Sequence, residues 1–183
     1  MQDTGRIFQI SVSRGGVPKS RVEEAVVTSR GINGDSQRDQ SAHGSPDQAI
    51  CLFAIEQIAL LRAEGHRVYA GSTGENVTTE GVDWDEVTPG TRIHLGATVV
   101  LEVTDYASPC WKNAQWFING NFQRISQDTH PGSSRAYARV LQGGAIREGD
   151  VVHLVVGDAI ERVLRRQPPA VRWPRDFQRP STT

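Results

Sequence analysis

The chain has very little cysteine, with two in 183 residues. Two cysteines are too few for a disulfide framework, so we expect both thiols to be reduced. The sequence also lacks an apolar run long enough to cross a bilayer. Its first ten residues, MQDTGRIFQI, lack the basic start and apolar centre of a signal peptide. Together these absences predict a cytoplasmic protein with no membrane partner.

A large charge of one sign is also missing, since 20 basic residues face 21 acidic ones and the formal net charge is −1. A balanced charge gives no overall electrostatic reason to expect nucleic acid as a partner. A hydrophobic content of 37% excludes the disordered and fibrous classes. The length suits one domain with a substantial core.

Short alternating segments separated by glycine-rich turns predict that the chain is strand-rich. The clearest is ATVVLEVT, in which Val99, Leu101 and Val103 share one face. Many such segments with one or two helices predict a mainly β (α+β) fold, a β-barrel carrying a few helices.

Two segments have the pattern of helices. Ser45, followed by Pro46 and Gln48, forms a capping box, and the apolar stretch over 48–65 ends at Gly65, a typical residue just past a helix. We therefore expect a long buried helix there, and a short helix over 133–144.

The end of the chain has a different composition. Residues 159–183 hold six arginines against two acidic residues. We expect a domain over 1–158 and an arginine- and proline-rich C-terminal helix and arm over 159–183. The arm is either solvated or packed on the barrel, or it binds a partner or an anionic ligand.

The two cysteines occupy different contexts. Cys51 falls inside the predicted buried helix, where a small apolar core residue is expected. Cys110 follows a strand, a turn and Pro109, so its thiol is the more accessible one. From its position alone, Cys110 is as consistent with an inert thiol as with a reactive one. The bulky segment WKNAQWFINGNFQRIS that follows is either a lid over a site or part of the core.

Several polar loops lack a structural explanation, yet none matches a zinc, phosphate-loop or nucleophile-elbow pattern. The loop over 31–48 carries Asp35 and His43, GSTGEN carries Glu75 and Asn76, and Lys19 follows a separate turn. A Cys110–His43 nucleophile pair is conceivable, but the sequence alone cannot bring the two together.

Taken in order, these segments resemble the MOSC domain, the module named after the C-terminal part of molybdenum-cofactor sulfurase. The matching stretches run from about residue 7 to 154 and are SVSRGGVPK, GINGD, HGSPDQAI, STGENVTTEGVDW, TPGTRIHLGATVVLEVTDYASPC and YARVLQGGAIREGDVV. The chain looks most like the small stand-alone bacterial members. The resemblance implies a distorted antiparallel β-barrel.

The resemblance also implies a functional sulfur, Cys110 of the PC motif, which carries a persulfide or ligates molybdenum. It implies that His43 and Glu75 act with it. Residues implied to surround a molybdopterin cofactor, which purified protein can lack, are Lys19, Asp35, Ser45, Asn76 and Arg139, with Arg135 as a further basic candidate.

The function expected from the resemblance is binding of a pterin molybdenum cofactor, sulfur carriage on Cys110, or both. Such an enzyme reduces N-oxygenated substrates with electrons from a separate protein, or receives sulfur from a donor protein. One alternative is a metal-free cysteine enzyme, a lyase or sulfurtransferase acting on carbon–sulfur bonds, with His43 or Glu75 as proton carrier. A non-catalytic delivery module that docks a partner through the C-terminal arm is the other.

Overall fold

The computed structural model describes residues 4–36 and 45–155. In this part the chain forms eleven strands and one α-helix, α1 (Ile55–Ala63). The strands are β1 (Thr4–Val12), β2 (Ser20–Val22), β3 (Glu24–Thr28), β4 (Gly31–Ile32), β5 (Ile50–Ala54), β6 (Val77–Glu80), β7 (Arg92–Leu95), β8 (Val99–Ala107), β9 (Arg135–Gln142), β10 (Gly144–Arg147) and β11 (Val151–Val155). Short 3-10 turns cover Pro46–Gln48, Trp84–Glu86, Trp111–Trp116, Ile118–Gly120 and Phe122–Ile125.

Seven strands close into a barrel in the order β11, β7, β8, β9, β5, β6, β1, with β1 pairing back onto β11. The pairs are antiparallel except β5 with β6, which run parallel because α1 carries the chain back between them. Strand β2 extends the sheet beyond β1, and β10, β3 and β4 form a second small sheet. The predicted mainly β barrel with few helices is confirmed.

Strand β8 shows why the alternating pattern was informative. Val99, Leu101 and Val103 are buried inside the barrel, whereas the residues between them are half-buried. Because successive side chains of a strand point to opposite faces, this alternation fixes which face of β8 packs in the core. The prediction for this segment is confirmed.

The predicted long helix over 48–65 is wrong in its first half. Residues Ile50–Ala54 form β5, and all five are buried because β9 and β6 flank the strand and the core covers it. A continuous apolar run does not distinguish a fully buried strand from a buried helix. The second half is helical, and Gly65, at φ 94°, follows its last turn. There the amide of His66 donates to the carbonyl of Leu61, as in a Schellman motif.

The predicted cap at Ser45 exists, but it serves a different element. The Ser45 Oγ accepts a hydrogen bond of 3.0 Å from the Asp47 amide. The element it caps is the single 3-10 turn Pro46–Gln48, which leads into β5. The capping pattern therefore predicted the turn correctly, but a strand, β5, follows the turn in place of the expected helix.

The short helix predicted over 133–144 is wrong as well. Most of this segment is β9, which pairs with β8 on one side and β5 on the other. Ala136 and Ala138 alternate on the buried face, where small side chains allow close packing. Alanine favours helices in isolation, and here two neighbouring strands override that preference.

None of the helices within 4–36 and 45–155 is long and apolar enough to span a membrane. The predicted C-terminal arm over 159–183 lies outside the described residues, so the predicted division of the chain at 158 stays a prediction.

Candidate functional site

A cavity of about 140 Å³ opens where the end of β8 and several loops meet the barrel. It combines strand residues with loop residues far apart in sequence. The residues that line it are Gly16, Val17, Lys19, Ser36, Cys51, Thr73, Gly74, Asn76, Ser108, Cys110, Lys112, Asn113, Arg135 and Tyr137. Among these described lining residues the charged side chains are three cations, and there is no carboxylate.

Cys110 stands where the barrel gives way to the loop that follows β8. The strand ends at Ala107, and Cys110 occupies the N-cap position of the 3-10 turn Trp111–Trp116 in an extended conformation. Its carbonyl accepts a hydrogen bond of 2.9 Å from the amide of Asn113. The thiol is free and half-buried. The carbonyl side of the Cys110 backbone is thus held by Asn113, and Cys110 lines the cavity.

Cys51 lines the same cavity, which the sequence did not indicate. It lies in β5 directly opposite Tyr137 of β9, and only 5% of it is exposed. Burial raises the pKa of its thiol to about 11. The prediction that Cys51 is buried is confirmed, and its placement inside a helix was wrong. Cys51 reaches the cavity wall because it lies in strand β5, where it pairs with Tyr137 of β9.

Tyr137 closes the barrel side of the cavity. Burial raises the pKa of its phenol to about 12, and the nearby thiols of Cys51 and Cys110 act in the same direction. The phenol therefore stays protonated at neutral pH and offers a neutral hydroxyl. No sequence pattern pointed to Tyr137, because its place in the cavity wall depends on the register between β5 and β9.

Arg135, at the start of β9, is the most unusual charge in the site. Its exposed fraction is 5%, and its Nη1 and Nη2 donate to the carbonyls of Thr73, at 2.6 Å, and Ser108, at 3.3 Å. Its buried Nε has no hydrogen-bond partner among the described residues. The carbonyl of Thr73 also accepts a hydrogen bond of 3.4 Å from Nδ2 of the Asn113 side chain. This single carbonyl therefore connects Arg135 of β9 to the loop that holds Cys110.

Lys19, by contrast, has a counter-ion. Its ammonium group lies 2.6 Å from both carboxylate oxygens of Asp35, and less than a tenth of either side chain is exposed. Asp35 also accepts from the amide of Ser13 at 2.7 Å and from Asn76 Nδ2 at 2.9 Å. The predicted residues Lys19, Asp35 and Asn76 are therefore brought together on one side of the cavity.

Asn76 also ties this cluster to the barrel. Its Oδ1 accepts a hydrogen bond of 3.1 Å from the Cys51 backbone amide, and the Asn76 backbone amide donates to the Cys51 carbonyl at 2.7 Å. Because each hydrogen-bonding group of the Asn76 side chain is used in the described structure, the residue is well suited to fixing the position of β5 against Asp35.

Glu75 is buried completely and is not among the lining residues. One of its carboxylate oxygens accepts from the Gly71 amide at 2.6 Å, and the other accepts from the Thr73 hydroxyl at 2.7 Å. These bonds hold the loop over 71–76 that forms part of the cavity wall. The role of Glu75 as a proton carrier stays a prediction.

Gly74 shows how tightly that loop approaches its neighbours. It has φ 100°, and a Cβ added there would lie 3.0 Å from Val17 Cγ1 and 3.7 Å from Arg135 Nη1. A side chain at this position would therefore be strained and would narrow the cavity beside Arg135.

Two predicted residues lie away from the cavity. Ser45 is exposed and caps its turn. Arg139 is exposed on β9 and lies 3.5 Å from Asp47 and 3.6 Å from Glu102. His43 lies outside the described residues. Their predicted roles stay predictions.

The aromatic segment after Cys110 separates into an exposed and a packed part. Trp111 is 71% exposed. Trp116 contacts Tyr69 with ring centroids 5.1 Å apart, and Phe117 contacts His66 at 5.0 Å. None of the aromatic side chains in this segment is among the described cavity-lining residues. Trp116 and Phe117 are thus packing residues, while Trp111 faces solvent beside Cys110.

Comparison with known proteins agrees with the fold. A model of the MOSC domain matches residues 39–153, which is more than half of the chain. The chain belongs to the MOSC domain family. The solved structure of YiiM from Geobacillus stearothermophilus superposes with a TM-score of 0.61 at 26% identity, covering 82% of this chain and 75% of that one.

Two relatives place the domain in proteins of different length. The uncharacterized protein YflK of Bacillus subtilis (strain 168) is 30% identical over 142 residues, which are 76% of this chain and 63% of YflK. A protein named Reductase from Gibberella moniliformis (strain M3125 / FGSC 7600) is 29% identical over 132 residues, which are 68% of this chain and 22% of that protein. This chain therefore spans less than two thirds of YflK and a small part of the fungal protein.

Proposed function

We propose that this MOSC protein carries sulfur on Cys110 as a persulfide. The observation that supports this best is the chemistry around the thiol. Cys110 borders a cavity that also presents Lys112 and Arg135, along with Lys19, whose charge is paired with Asp35, and no carboxylate is among the described lining residues. A persulfide is anionic near neutral pH, and a cationic, partly enclosed cavity stabilises an anionic sulfur.

The same residues suit a pterin molybdenum cofactor. A cysteine sulfur is a soft ligand of the kind that suits a transition metal in a pterin cofactor, and cationic side chains suit a phosphate. Arg135 supports this fit because it is buried, has an unpartnered Nε and lines the cavity. We propose that Cys110 would hold the metal and that Lys112 and Arg135 would hold the phosphate. When bound, the cofactor supplies a metal centre that exchanges electrons with a substrate.

A reductase activity toward N-oxygenated substrates is the catalytic form of this proposal. The name of the fungal relative, Reductase, is in line with this activity, and the region similar to this chain makes up 22% of that longer protein. Electrons for this chain would come from a separate protein. The contribution of this chain would be to bind and orient the reacting group beside Cys110.

A metal-free sulfurtransferase is the second candidate, and the limited size of the cavity favours it. A volume of about 140 Å³ is close to that of an engineered cavity of about 150 Å³ that binds benzene. That space suits a small sulfur compound. Both candidates use the same Cys110 sulfur and differ in the need for molybdenum. The delivery module, the third candidate, depends on the arm over 159–183.

The proposal is tested by comparing the wild type with Cys110→Ala and Cys51→Ala, all purified from a host that makes the molybdenum cofactor. Molybdenum, pterin and sulfane sulfur per chain are measured, the last by cyanolysis. We expect Cys110→Ala to lose sulfane sulfur to background and Cys51→Ala, the matched thiol variant, to retain it.

The metal content separates the candidates. Molybdenum at one atom per chain, lost in Cys110→Ala, excludes the metal-free candidate. Sulfane sulfur without molybdenum supports it. Full retention of sulfur and molybdenum in Cys110→Ala contradicts the assignment of Cys110 as the functional sulfur.

A further inference from the structure

Arg135 is a buried cation without an ionic partner in the described structure. No carboxylate of the described residues lies within 4.0 Å of its guanidinium group. Burial of a charge is costly unless the charge is paired and hydrogen-bonded. Five N–H donors belong to a guanidinium group, and the described structure uses two nitrogens of Arg135, each on one carbonyl.

The neighbours of Arg135 do not neutralise it. Burial raises the pKa of the Cys51 thiol to about 11 and that of the Tyr137 phenol to about 12, so both are uncharged at neutral pH. The Asp35 carboxylate is 2.6 Å from Lys19, and the Glu75 carboxylate, which accepts hydrogen bonds from Gly71 and Thr73, makes no ion pair with Arg135 within 4.0 Å. Arg135 therefore has no directly contacting counter-ion among the described residues, and an anion that enters the cavity can supply one.

The size of the cavity restricts which anion fits. About 140 Å³ holds a group of a few heavy atoms, such as a tetrahedral oxyanion with one substituent. Arginine binds such oxyanions through charge-assisted hydrogen bonds, which are stronger than those between neutral groups. Cys110 lines the same cavity, so both residues border the space that a small anion would occupy.

We infer that Arg135 binds the sulfonate end of a small anionic sulfane-sulfur donor, of which thiosulfate is the simplest, and presents its terminal sulfur to Cys110. The inference rests on the proposed sulfur carriage by Cys110 and adds the class of donor. It also assigns a binding role to Arg135 beyond its hydrogen bonds to Thr73 and Ser108.

The transfer balances without a metal or an oxidant. Cys110 loses its proton to solvent, and the thiolate attacks the terminal sulfur of thiosulfate. One S–S bond forms to Cys110 while the S–S bond of thiosulfate breaks, and sulfite leaves with the electron pair. One thiolate and one thiosulfate dianion become one persulfide anion and one sulfite dianion, so the charge is conserved. Arg135 contacts the group that becomes sulfite.

The first experiment measures sulfane-sulfur loading of Cys110 in the full chain from two donors of matched size, thiosulfate and the neutral dimethyl trisulfide. Attack of the Cys110 thiolate on the central sulfur of the trisulfide releases methanethiolate and leaves a mixed trisulfide on Cys110. We expect Arg135→Gln to lower the loading efficiency from thiosulfate by about 10- to 100-fold, the range for losing a hydrogen bond to a charged group. Loading from the neutral trisulfide should change by less than about threefold, because that donor has no charge for Arg135 to bind. Arg92→Gln, on an exposed strand position, is the matched arginine control.

The outcomes separate the inference from the proposed function. A wild type that loads from the trisulfide and not from thiosulfate overturns the inference and leaves sulfur carriage standing. Equal losses from both donors in Arg135→Gln also overturn it. A wild type that loads from neither donor contradicts sulfur carriage itself.

A second experiment holds even where Arg135→Gln folds poorly, because it includes the wild type and Arg135→Lys. Cys110 is alkylated with iodoacetate or with iodoacetamide, reagents of similar size that differ in charge, and its peptide is quantified. Sulfite and inorganic phosphate should both slow alkylation of the wild type because they occupy the anion site. Of the three anions, only thiosulfate should also add sulfur to Cys110. The iodoacetate-to-iodoacetamide rate ratio should fall severalfold in Arg135→Lys, which keeps the charge and loses the fork. An unchanged ratio, or no protection by sulfite, overturns the inference.

Discussion

The two walls of the cavity each present a thiol, and they hold it in opposite ways. The barrel wall, made of Cys51, Asn76, Arg135 and Tyr137, places its thiol in the middle of a strand with bonded neighbours on both sides. The loop wall, made of Ser108, Cys110, Lys112 and Asn113, places its thiol after a strand has ended. The Cys51 thiol, in mid-strand, is therefore buried and protonated, whereas the Cys110 thiol, past the end of its strand, is half-buried.

The same contrast holds for the charges at the barrel side. Lys19 has its counter-ion within 2.6 Å and a hydrogen-bonded network behind it. Arg135 has two carbonyl partners and no counter-ion among the described residues. A buried cation with full pairing is explained by folding, whereas one without pairing points to a ligand.

The largest effect is expected on thiol reactivity at pH 8. Cys110 should be alkylated readily by iodoacetamide in the folded protein, while Cys51 should react at least about 100-fold more slowly. Roughly one Cys51 thiol in a thousand is ionised at that pH, given its pKa of about 11, and the thiolate is the nucleophile. Peptide mass spectrometry after timed quenching measures both rates.

In the unfolded protein, both cysteines should react at similar rates, which controls for the reagent. Comparable rates in the folded protein would contradict the division between the two walls.

The next largest effect is expected from Asp35→Asn. The substitution leaves the Lys19 ammonium group buried without its counter-ion, and breaking a buried ion pair in this way costs about 3–5 kcal/mol of unfolding free energy. Urea denaturation followed by circular dichroism at neutral pH measures the loss. A cost below about 1 kcal/mol, typical of an exposed pair, would show that the cluster is not a structural support.

Strands and site residues differ in how far the sequence could predict them. Val99, Leu101 and Val103 alternate, so β8 was predictable from its own residues. Residues Ile50–Ala54 do not alternate, because both faces of β5 are buried, and local pattern alone could not distinguish strand from helix.

The site divides in a similar way. Cys110, Lys19, Asp35 and Asn76 were accessible from the resemblance to the family. Cys51 and Tyr137 reach the cavity only through the cross-strand register between β5 and β9. The importance of Arg135 rests on the counter-ion that it lacks, which no sequence pattern records.

A smaller effect is expected from alkaline pH. Because folding raises the pKa of Cys51 from 9.0 to about 11, the stability that this thiol contributes is complete below pH 9 and is lost as pH rises from about 9 to about 11. The wild type should lose on the order of 2 kcal/mol more unfolding free energy across this range than Cys51→Ala. Urea titrations at several pH values measure both slopes, and parallel slopes would contradict the burial of this thiol.

The smallest effect is expected from Arg139→Gln. The side chain is exposed and its nearest carboxylates are 3.5 and 3.6 Å away, so the unfolding free energy should fall by about 0.5 kcal/mol or less. Sulfur loading of Cys110 should keep its wild-type rate because Arg139 is not a lining residue. A large loss of loading would restore the role that the sequence first suggested for Arg139.

The most direct test of the account is the location of transferred sulfur in the native protein. The chain is incubated with a sulfane donor, its persulfides are trapped with iodoacetamide, and its peptides are analysed by mass spectrometry without reduction. We predict that the additional sulfur atom lies on the peptide containing Cys110 and that the peptide containing Cys51 carries none. Sulfur on Cys51 with an unmodified Cys110 would contradict the account.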